Sequence, residues 1–411
     1  MSESRRILYH HRIRSDDGQA VHVRELITAL RAAGHEVSEC ALFPKTDLAS
    51  ASNGATPATN QEPAAGRLKA SFWHRLSPPR TAVEMLEVLY NYKGRAMLRA
   101  AAQQSRPHFL YERHALHLHA GLDIARELNI PLLLEVNSPM VLEMQRLGKL
   151  CLGRRARRSE QNLLAKADAI LAVTEALKDI LIDAGARRER VHVIGNGAVA
   201  ERYDNNARTE GMQLRANWSL PEDSFVLGFV GYMRPWHRLD LILDVMQRPG
   251  LESLVFVLYG DGPALTDLQQ KVVQRSLQER VKVQGVITPK DLPQHVMACD
   301  SALIPAINSY ASPLKLFDSL AAGIATLVPD QPNLREYVVD GENGLLFASG
   351  DSDDLYRQLL RIVSDRELAR RIGSAGRTSL IENQWTWSGN AERVVEIYNS
   401  LPAMSVQGFT K

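Results

Sequence analysis

Short apolar runs alternate with helical patterns along most of this chain, the arrangement that builds parallel sheets covered on both faces by helices. Before residue 200 the runs are Arg6-Ile7-Leu8-Tyr9-His10, Phe109–Tyr111, Pro131–Val136, Ala169–Val173 and Val191–Ile194. The first leads through a loop containing Gly18 into a helix predicted from about Ala20 to Ala33, and Gly34 supplies the terminating glycine. A second series runs Phe225–Gly231, Leu254–Tyr259, Val281–Gln284, Ser301–Ile304 and Thr326–Val328. Each half therefore reads as doubly wound.

Between the halves, Ala200–Asp223 is polar, lacks apolar periodicity and contains Asn205-Asn206 and Pro221-Glu222-Asp223, so it is taken as the boundary. The expected division is 1–200, then 201–385, with 386–411 a final helix returning towards the first domain. Pro44–Arg80, rich in Ala, Ser, Thr, Asn and Pro without period, predicts a mobile loop rather than a third domain. A length of 411 residues agrees with two domains, and 45% apolar with 23% charged residues is ordinary globular material.

Charge changes this picture more than composition does. The net charge is only +2, yet residues 1–200 carry 28 Lys and Arg against 21 Asp and Glu, and the remainder carries 21 against 26. A basic first half favours an anionic partner, either a phosphorylated lipid or a membrane surface; plain surface solubility is the alternative. Arg154, Arg155, Arg157 and Arg158 lie in a helical pattern ahead of Leu163-Leu164, where they either rest on anionic headgroups or form a solvated face. No secretory segment and no apolar run near membrane-spanning length is visible, so the expected location is cytoplasmic, with peripheral contact on the inner face of the membrane as an option. Cys40, Cys151 and Cys299 suggest neither disulfides nor zinc, and the spacing of His114, His117 and His119 sets no single face for a metal. The expectation is no metal, no cofactor and no nucleic-acid partner.

The most informative stretch is Ser312-Pro313-Leu314-Lys315-Leu316-Phe317-Asp318-Ser319-Leu320-Ala321-Ala322-Gly323. Ser312 suits a helix cap, Pro313 the first helical position and Gly323 the far end. Free N–H groups at such a helix start, with the dipole, form a phosphate site. Lys315 and Asp318, three apart, share a face, where a carboxylate can accept the hydroxyls of a ribose. An ordinary capped helix with a solvated charge pair would carry the same residues. After the first strand of the second half stands Gly228-Phe229-Val230-Gly231-Tyr232-Met233-Arg234-Pro235-Trp236-His237-Arg238-Leu239-Asp240. Cations there would stabilise a departing diphosphate; Arg234 and Arg238 can do so at any pH, whereas His237 must be protonated or donate as a neutral ring. In the first half, Glu112, Arg113, Glu135 and Asn137 end two predicted strands, where doubly wound sheets keep their ligands. They are acceptor or sugar contacts by position, with ordinary loop-capping roles as the alternative.

These stretches resemble glycosyltransferase family 4, the retaining GT-B enzymes also described as glycosyl transferases group 1. The likeness extends over nearly the whole chain. Val191–Gly197 resembles the strand and Asn-Gly turn that close the family's first domain, Leu258–Pro263 its second-domain glycine turn with Gly260 and Gly262, and Val281–Val286 with Ile287 its base-binding strand and loop. Glu336–Phe347 is similar to the segment after the sugar-binding helix, and Arg14–Leu26 to a glycine loop in which Gly18 faces the donor phosphate. The resemblance implies an α/β GT-B fold, two doubly wound Rossmann-like domains facing a central cleft.

It also implies a hexosyltransferase-like enzyme that moves a sugar with retention from a UDP- or GDP-sugar to a hydroxyl of a glycan or lipid-linked glycan, in polysaccharide or glycoconjugate synthesis. Donor contacts would then be Gly18, Gly231, Arg238, Gly260, Gly262, Val286, Ile287, Ser312, Pro313, Leu314 and Lys315, with Arg234, His237 and Asp318 in the catalytic centre. The chain departs from the family pattern at Tyr310, where the first of two acidic residues falls, and at Tyr232 and His237, which replace an Arg and Lys pair. A non-catalytic GT-B protein that binds nucleotide or sugar is the alternative those departures keep open. A nicotinamide oxidoreductase would need a GxGxxG after the first strand, which this chain lacks, and a phosphorylase-like enzyme a lysine for a Schiff-base cofactor.

Overall fold

A computed structural model of the protein describes residues 3–15, 17–46 and 79–402. The chain divides into two compact units, one formed by Met1–Ala172, Leu177–Val193 and Ala391–Lys411, the other by Val173–Ala176 and Ile194–Asn390. The loop expected over Pro44–Arg80 falls mostly on 47–78, outside the described residues.

The first unit is built on a parallel sheet of β1 (Arg6–His10), β2 (Glu36–Cys40), β3 (Phe109–Arg113), β4 (Leu132–Val136), β5 (Ala169–Ala172) and β6 (Val191–Val193), in the order β2-β1-β3-β4-β5-β6. Strands β3, β4 and β5 are buried at every position, as parallel strands covered on both faces require. That double burial is why they stood out as continuous apolar runs. Strand β2, Glu-Val-Ser-Glu-Cys, was not expected; it is an edge strand with only Val37 and Cys40 buried, so it carries no such run. The helix after β1 spans Gly18–Ala32.

In the second unit, β7 (Phe225–Val230), β8 (Leu254–Tyr259), β9 (Val281–Gly285), β10 (Ser301–Leu303), β11 (Ala325–Pro329) and β12 (Leu345–Phe347) form a parallel sheet in the order β12-β11-β10-β7-β8-β9. Successive side chains point to opposite faces. Phe225, Leu227, Phe229, Phe256 and Leu258 therefore pack into one core, and Val226, Val255, Val257 and Tyr259 into another. The polar segment Ala200–Asp223 proves to contain a helix, Asn205–Ala216, capped by the Asp204 carboxylate and burying only Ala207 and Gly211. So small an apolar face leaves no periodic signal to read.

Strand order reverses beside β1 in the first sheet and beside β7 in the second. Open α/β sheets hold ligands outside the carboxyl ends of the strands at such switch points. The ends of β7 and β10 are therefore the place to look in the second unit, and the ends of β1 and β3 in the first.

Candidate functional site

At the end of β7 the side chains of Lys315 and His237 meet on Phe229, with Arg234 beside His237. The Lys315 ammonium lies 4.1 Å from the Phe229 ring centroid, and the His237 ring meets the same ring edge-on with centroids 5.5 Å apart. A Cβ placed on Gly231 would lie 3.1 Å from Lys315 Nζ, which shows how close this side chain reaches to the strand end. Arg234 is exposed, and its guanidinium stands 4.9 Å from the ring centroids of both Tyr232 and Trp236. Those rings are themselves about half exposed. No carboxylate pairs with Arg234, Lys315 or His237 among the described residues, so the cluster is a concentration of uncompensated positive charge. Arg238 differs: its Nε lies 3.3 Å from Asp240 Oδ1.

The chemical states follow from the surroundings. Burial, then the charges of Lys315 and Arg234, push the His237 imidazole down to about 3, so the ring is neutral at physiological pH. Its Nδ1 accepts the Arg234 N–H at 3.3 Å, which leaves the ring proton on Nε2 and makes that nitrogen a donor. The choice left open by the residue type thus falls to the neutral donor. Burial lowers Lys315 to about 8, so the ammonium is largely charged at neutral pH and titrates just above it.

Lys315 belongs to the helix Leu314–Ala322, ended by Gly323 in the left-handed conformation. It starts two residues later than the cap expected at Ser312. Pro313 occupies the cap position instead of the first helical one, and no side chain caps the first turn. Ser312 serves another purpose: its Oγ accepts the Asn196 N–H at 3.0 Å, and its carbonyl accepts from Asn196 Nδ2 at 2.5 Å. Asn333 and Thr174 hold the same loop through the carbonyls of Asn308, Ala311 and Tyr310. The helix start is thus fixed from behind while its own N–H groups carry no side-chain cap, the condition for receiving an anion.

One turn on, Asp318 Oδ1 accepts the Tyr203 hydroxyl at 2.7 Å. With Lys315 it borders a small cavity of about 20 Å³ whose walls include Gly228, Val230 and Ser319. Tyr203, itself buried, was not anticipated; it lies in the segment taken as a mere boundary. The turns after β7, β8 and β9 are laced together, Gly231 N–H to the Tyr259 carbonyl at 2.9 Å and Gly260 N–H to the Gly285 carbonyl at 2.6 Å. Gly260 has φ +128, and a Cβ there would collide with the Gly231 carbonyl; Gly262 likewise packs on Met233. The demand for glycine at both positions thus has an internal cause, distinct from the ligand approach expected of them. Val286, 77% exposed, and the half-buried Ile287 follow β9 on this edge.

The first-unit residues fall differently. Gly18 opens its helix, but the Asp17 carboxylate caps that helix start, accepting the Gln19 N–H at 3.0 Å. Glu112 is wholly buried, bonded to His10 Nδ1 at 2.6 Å and to the Gly121 N–H at 3.0 Å. A Cβ on Gly121 would collide with that carboxylate. Glu135, also buried, receives Tyr111 at 2.7 Å, His22 at 3.0 Å, and Arg113 and Asn137. Burial opposes its ionisation, but His22, Arg113 and the other donors hold the carboxyl well below its usual range. Glu112, Glu135 and the buried Arg113 therefore form the interior of the unit and are closed to an acceptor; Asn137 alone of the four is half-exposed. Residue type and strand-end position could not separate the two roles. His114, His117 and His119 each face a different carboxylate, Glu160, Glu84 and Asp123.

Residues 17–202 match the family model described as Glycosyltransferase Family 4, and residues 210–379 match that of Glycosyl transferases group 1. Among curated proteins, the D-inositol 3-phosphate glycosyltransferase of Nocardia farcinica is 27% identical over 252 residues, 59% of this chain and 54% of the relative. The match thus spans about half the length of that relative. Among solved structures, sucrose-phosphate synthase of Thermosynechococcus elongatus superposes with a TM-score of 0.73 at 19% identity, covering 96% of this chain and 98% of that one. Anabaena HepE in complex with UDP-glucose gives 0.68 at 19% identity, covering 96% and 99%. The fold is GT-B.

Proposed function

Because this chain belongs to the glycosyl transferases of group 1 and family 4, we propose that it moves a sugar from a nucleoside diphosphate sugar to an acceptor hydroxyl, with retention at the anomeric carbon. The observation that carries the reading is the meeting of His237 and Lys315 on Phe229, with Arg234 beside His237 and Lys315 rising from an uncapped helix start, at the switch point of the second sheet. The pyrophosphate lies against the N–H groups of Leu314 and Lys315 and the Lys315 ammonium. The base lies on the Val286–Ile287 loop, and the Asp318 carboxylate accepts a ribose hydroxyl. As the bond from anomeric carbon to phosphate oxygen breaks, Arg234 and the Nε2–H of His237 meet the charge that develops on the diphosphate. That phosphate oxygen takes the proton of the incoming hydroxyl while the new glycosidic bond forms on the same face. These groups supply the positive charge the step requires, and the reading includes no metal.

Support for a uridine donor comes from the HepE complex with UDP-glucose. We assign the acceptor to a glycan or lipid-linked glycan in polysaccharide or glycoconjugate synthesis, and the site of action to the cytoplasm. A panel of UDP-, GDP- and ADP-sugars, read by thermal shift and by release of nucleoside diphosphate, tests the assignment, since a ligand of the native state raises its melting point. Proton NMR of the first product reads its anomeric configuration. Binding of a nucleotide sugar with neither hydrolysis nor transfer would favour the non-catalytic alternative, for which Tyr310 at the acidic position is the observation.

Asp318→Ala should raise the donor dissociation constant roughly ten- to a hundredfold, the worth of a hydrogen bond to a charged group. Tyr203→Phe should raise it less. Unchanged affinity in a folded Asp318→Ala protein, measured by calorimetry, would remove Asp318 from the site. Donor affinity should also fall as pH rises through about 8, where Lys315 loses its proton, and show no inflection near the ordinary histidine value because His237 is already neutral. Lys315→Met should weaken binding and abolish the alkaline fall; titrations on both sides of pH 8 check both.

A further inference from the structure

On the first unit, a feature unrelated to the donor site combines charge with exposed apolar surface. The helix Gly153–Lys166 begins with Arg154, Arg155, Arg157 and Arg158, all exposed. Arg157 reaches Gln145 Oε1 at 3.3 Å, but none of the four pairs with a carboxylate among the described residues. Arg154, Arg155 and Arg158 border an open groove of about 620 Å³, together with His117, His119 and Asn162. Its one lining carboxylate, Asp123, already holds Arg95 and His119, and the buried Glu84 behind His117 accepts the N–H groups of Cys151 and Leu152 at 2.5 and 2.8 Å.

Two further observations point to a ligand. His117, 4% exposed and at φ +60, forms part of the groove wall, and its Nδ1 is buried without a partner while Nε2 faces Glu84. Beside the groove, the helix Arg80–Ser105 sends Glu84 and Val88 to the groove side and leaves Met85, Leu86, Leu89 and Tyr92 exposed at 48, 63, 51 and 68%. Residues three and four apart share a helix face, so Met85, Leu89 and Tyr92 form one apolar stripe next to the arginines. Unpaired arginines alone suit any anion. Arginines beside an apolar stripe suit a surface that is anionic outside and hydrocarbon within.

We propose that the groove at Arg154, Arg155 and Arg158 is a phosphate-binding site whose occupant is the headgroup of an anionic phospholipid, and that the Met85–Tyr92 stripe inserts beside it to seat the protein on the bilayer. Attraction to the headgroups brings the helix start to the membrane, and burial of Leu86 and Leu89 between acyl chains lengthens the stay. The site stands apart from the transfer reading and is tested without turnover.

The full chain should co-sediment with vesicles containing phosphatidylglycerol and not with pure phosphatidylcholine vesicles. Each arginine changed to glutamine should weaken partition about fivefold, and the Arg154→Gln, Arg155→Gln, Arg158→Gln combination on the order of a hundredfold. Leu86→Ser with Leu89→Ser should weaken it about tenfold or more at unchanged charge. Circular dichroism confirms folding of these surface variants. Equal partition of the triple variant and the parent protein would overturn the site. Inorganic phosphate or glycerol phosphate that stabilises the parent but not the triple variant, with no loss of partition in the leucine variant, would make the occupant a soluble phosphate and overturn the lipid assignment. Donor binding, read in parallel, separates failure here from failure of the transferase reading.

Discussion

Arg234→Ala is expected to lower kcat roughly a hundred- to a thousandfold, the cost of removing one preorganised group aimed at charge that develops in the transition state. The case rests on how the side chain is held. Its guanidinium stands between Tyr232 and Trp236 with no carboxylate to neutralise it, and the neighbouring His237 is neutral. At physiological pH the turn after β7 therefore has Arg234 as its uncompensated cation, whereas Arg238 is drawn to Asp240. Because the clamp works on a flat group, Arg234→Lys should recover little: an ammonium keeps the charge but loses the stacking and the forked donors. Trp236→Ala should cost about tenfold, since it frees a group it does not replace. The dissociation constant of the donor, by contrast, should change by less than about tenfold in Arg234→Ala. A rise in KM at unchanged kcat would mean that Arg234 binds the ground-state diphosphate and leaves the leaving group to others.

The parts of this site that the sequence carried are those with local causes. Continuous apolar runs marked the parallel strands covered on both faces, and Ser312–Gly323 announced a helix because its proline, lysine, aspartate and terminal glycine all act within a few residues. What could not be read was the use of each polar group across the fold. Ser312 has the chemistry of a cap, yet it holds Asn196, more than a hundred residues away in sequence. Tyr203 lay in a stretch without apolar period, and only the folded chain brings its hydroxyl to Asp318. The approach of both Tyr232 and Trp236 to Arg234 was equally illegible, because the chain winds into a 3-10 turn at Pro235–His237 and the spacing of two is not that of an extended strand. His237 illustrates a third limit, because its neutral state depends on burial and on Lys315, a residue from a distant helix.

Glu135→Ala should destabilise the protein by about 3–5 kcal/mol, because it leaves a buried guanidinium without its counter-ion. Strand-end position suggested that Glu135 meets a ligand; its surroundings make it the electrostatic centre of the first unit. His22, Tyr111, Arg113 and Asn137 donate to it, and Tyr9 Oη lies 3.3 Å from Oε2. These residues come from β1, β3, the helix after β1 and the turn that follows β4, so one carboxylate ties together the elements that flank the switch point. Burial alone would raise its pKa, and the donors more than reverse that. A folded value below the unfolded one near 4.3 means that its contribution is fully present above the unfolded value and is lost as pH falls towards the folded one. The parent protein should therefore lose stability on acidification below about pH 4, and Glu135→Ala should show a shallower loss there. At neutral pH the melting temperature should drop by roughly 10 °C. Glu135→Gln, which keeps the shape and one acceptor, should fall between the two proteins. Urea unfolding of the three compares them directly, and a difference under about 0.5 kcal/mol between Glu135→Ala and the parent would show that the strand ends are held by packing alone.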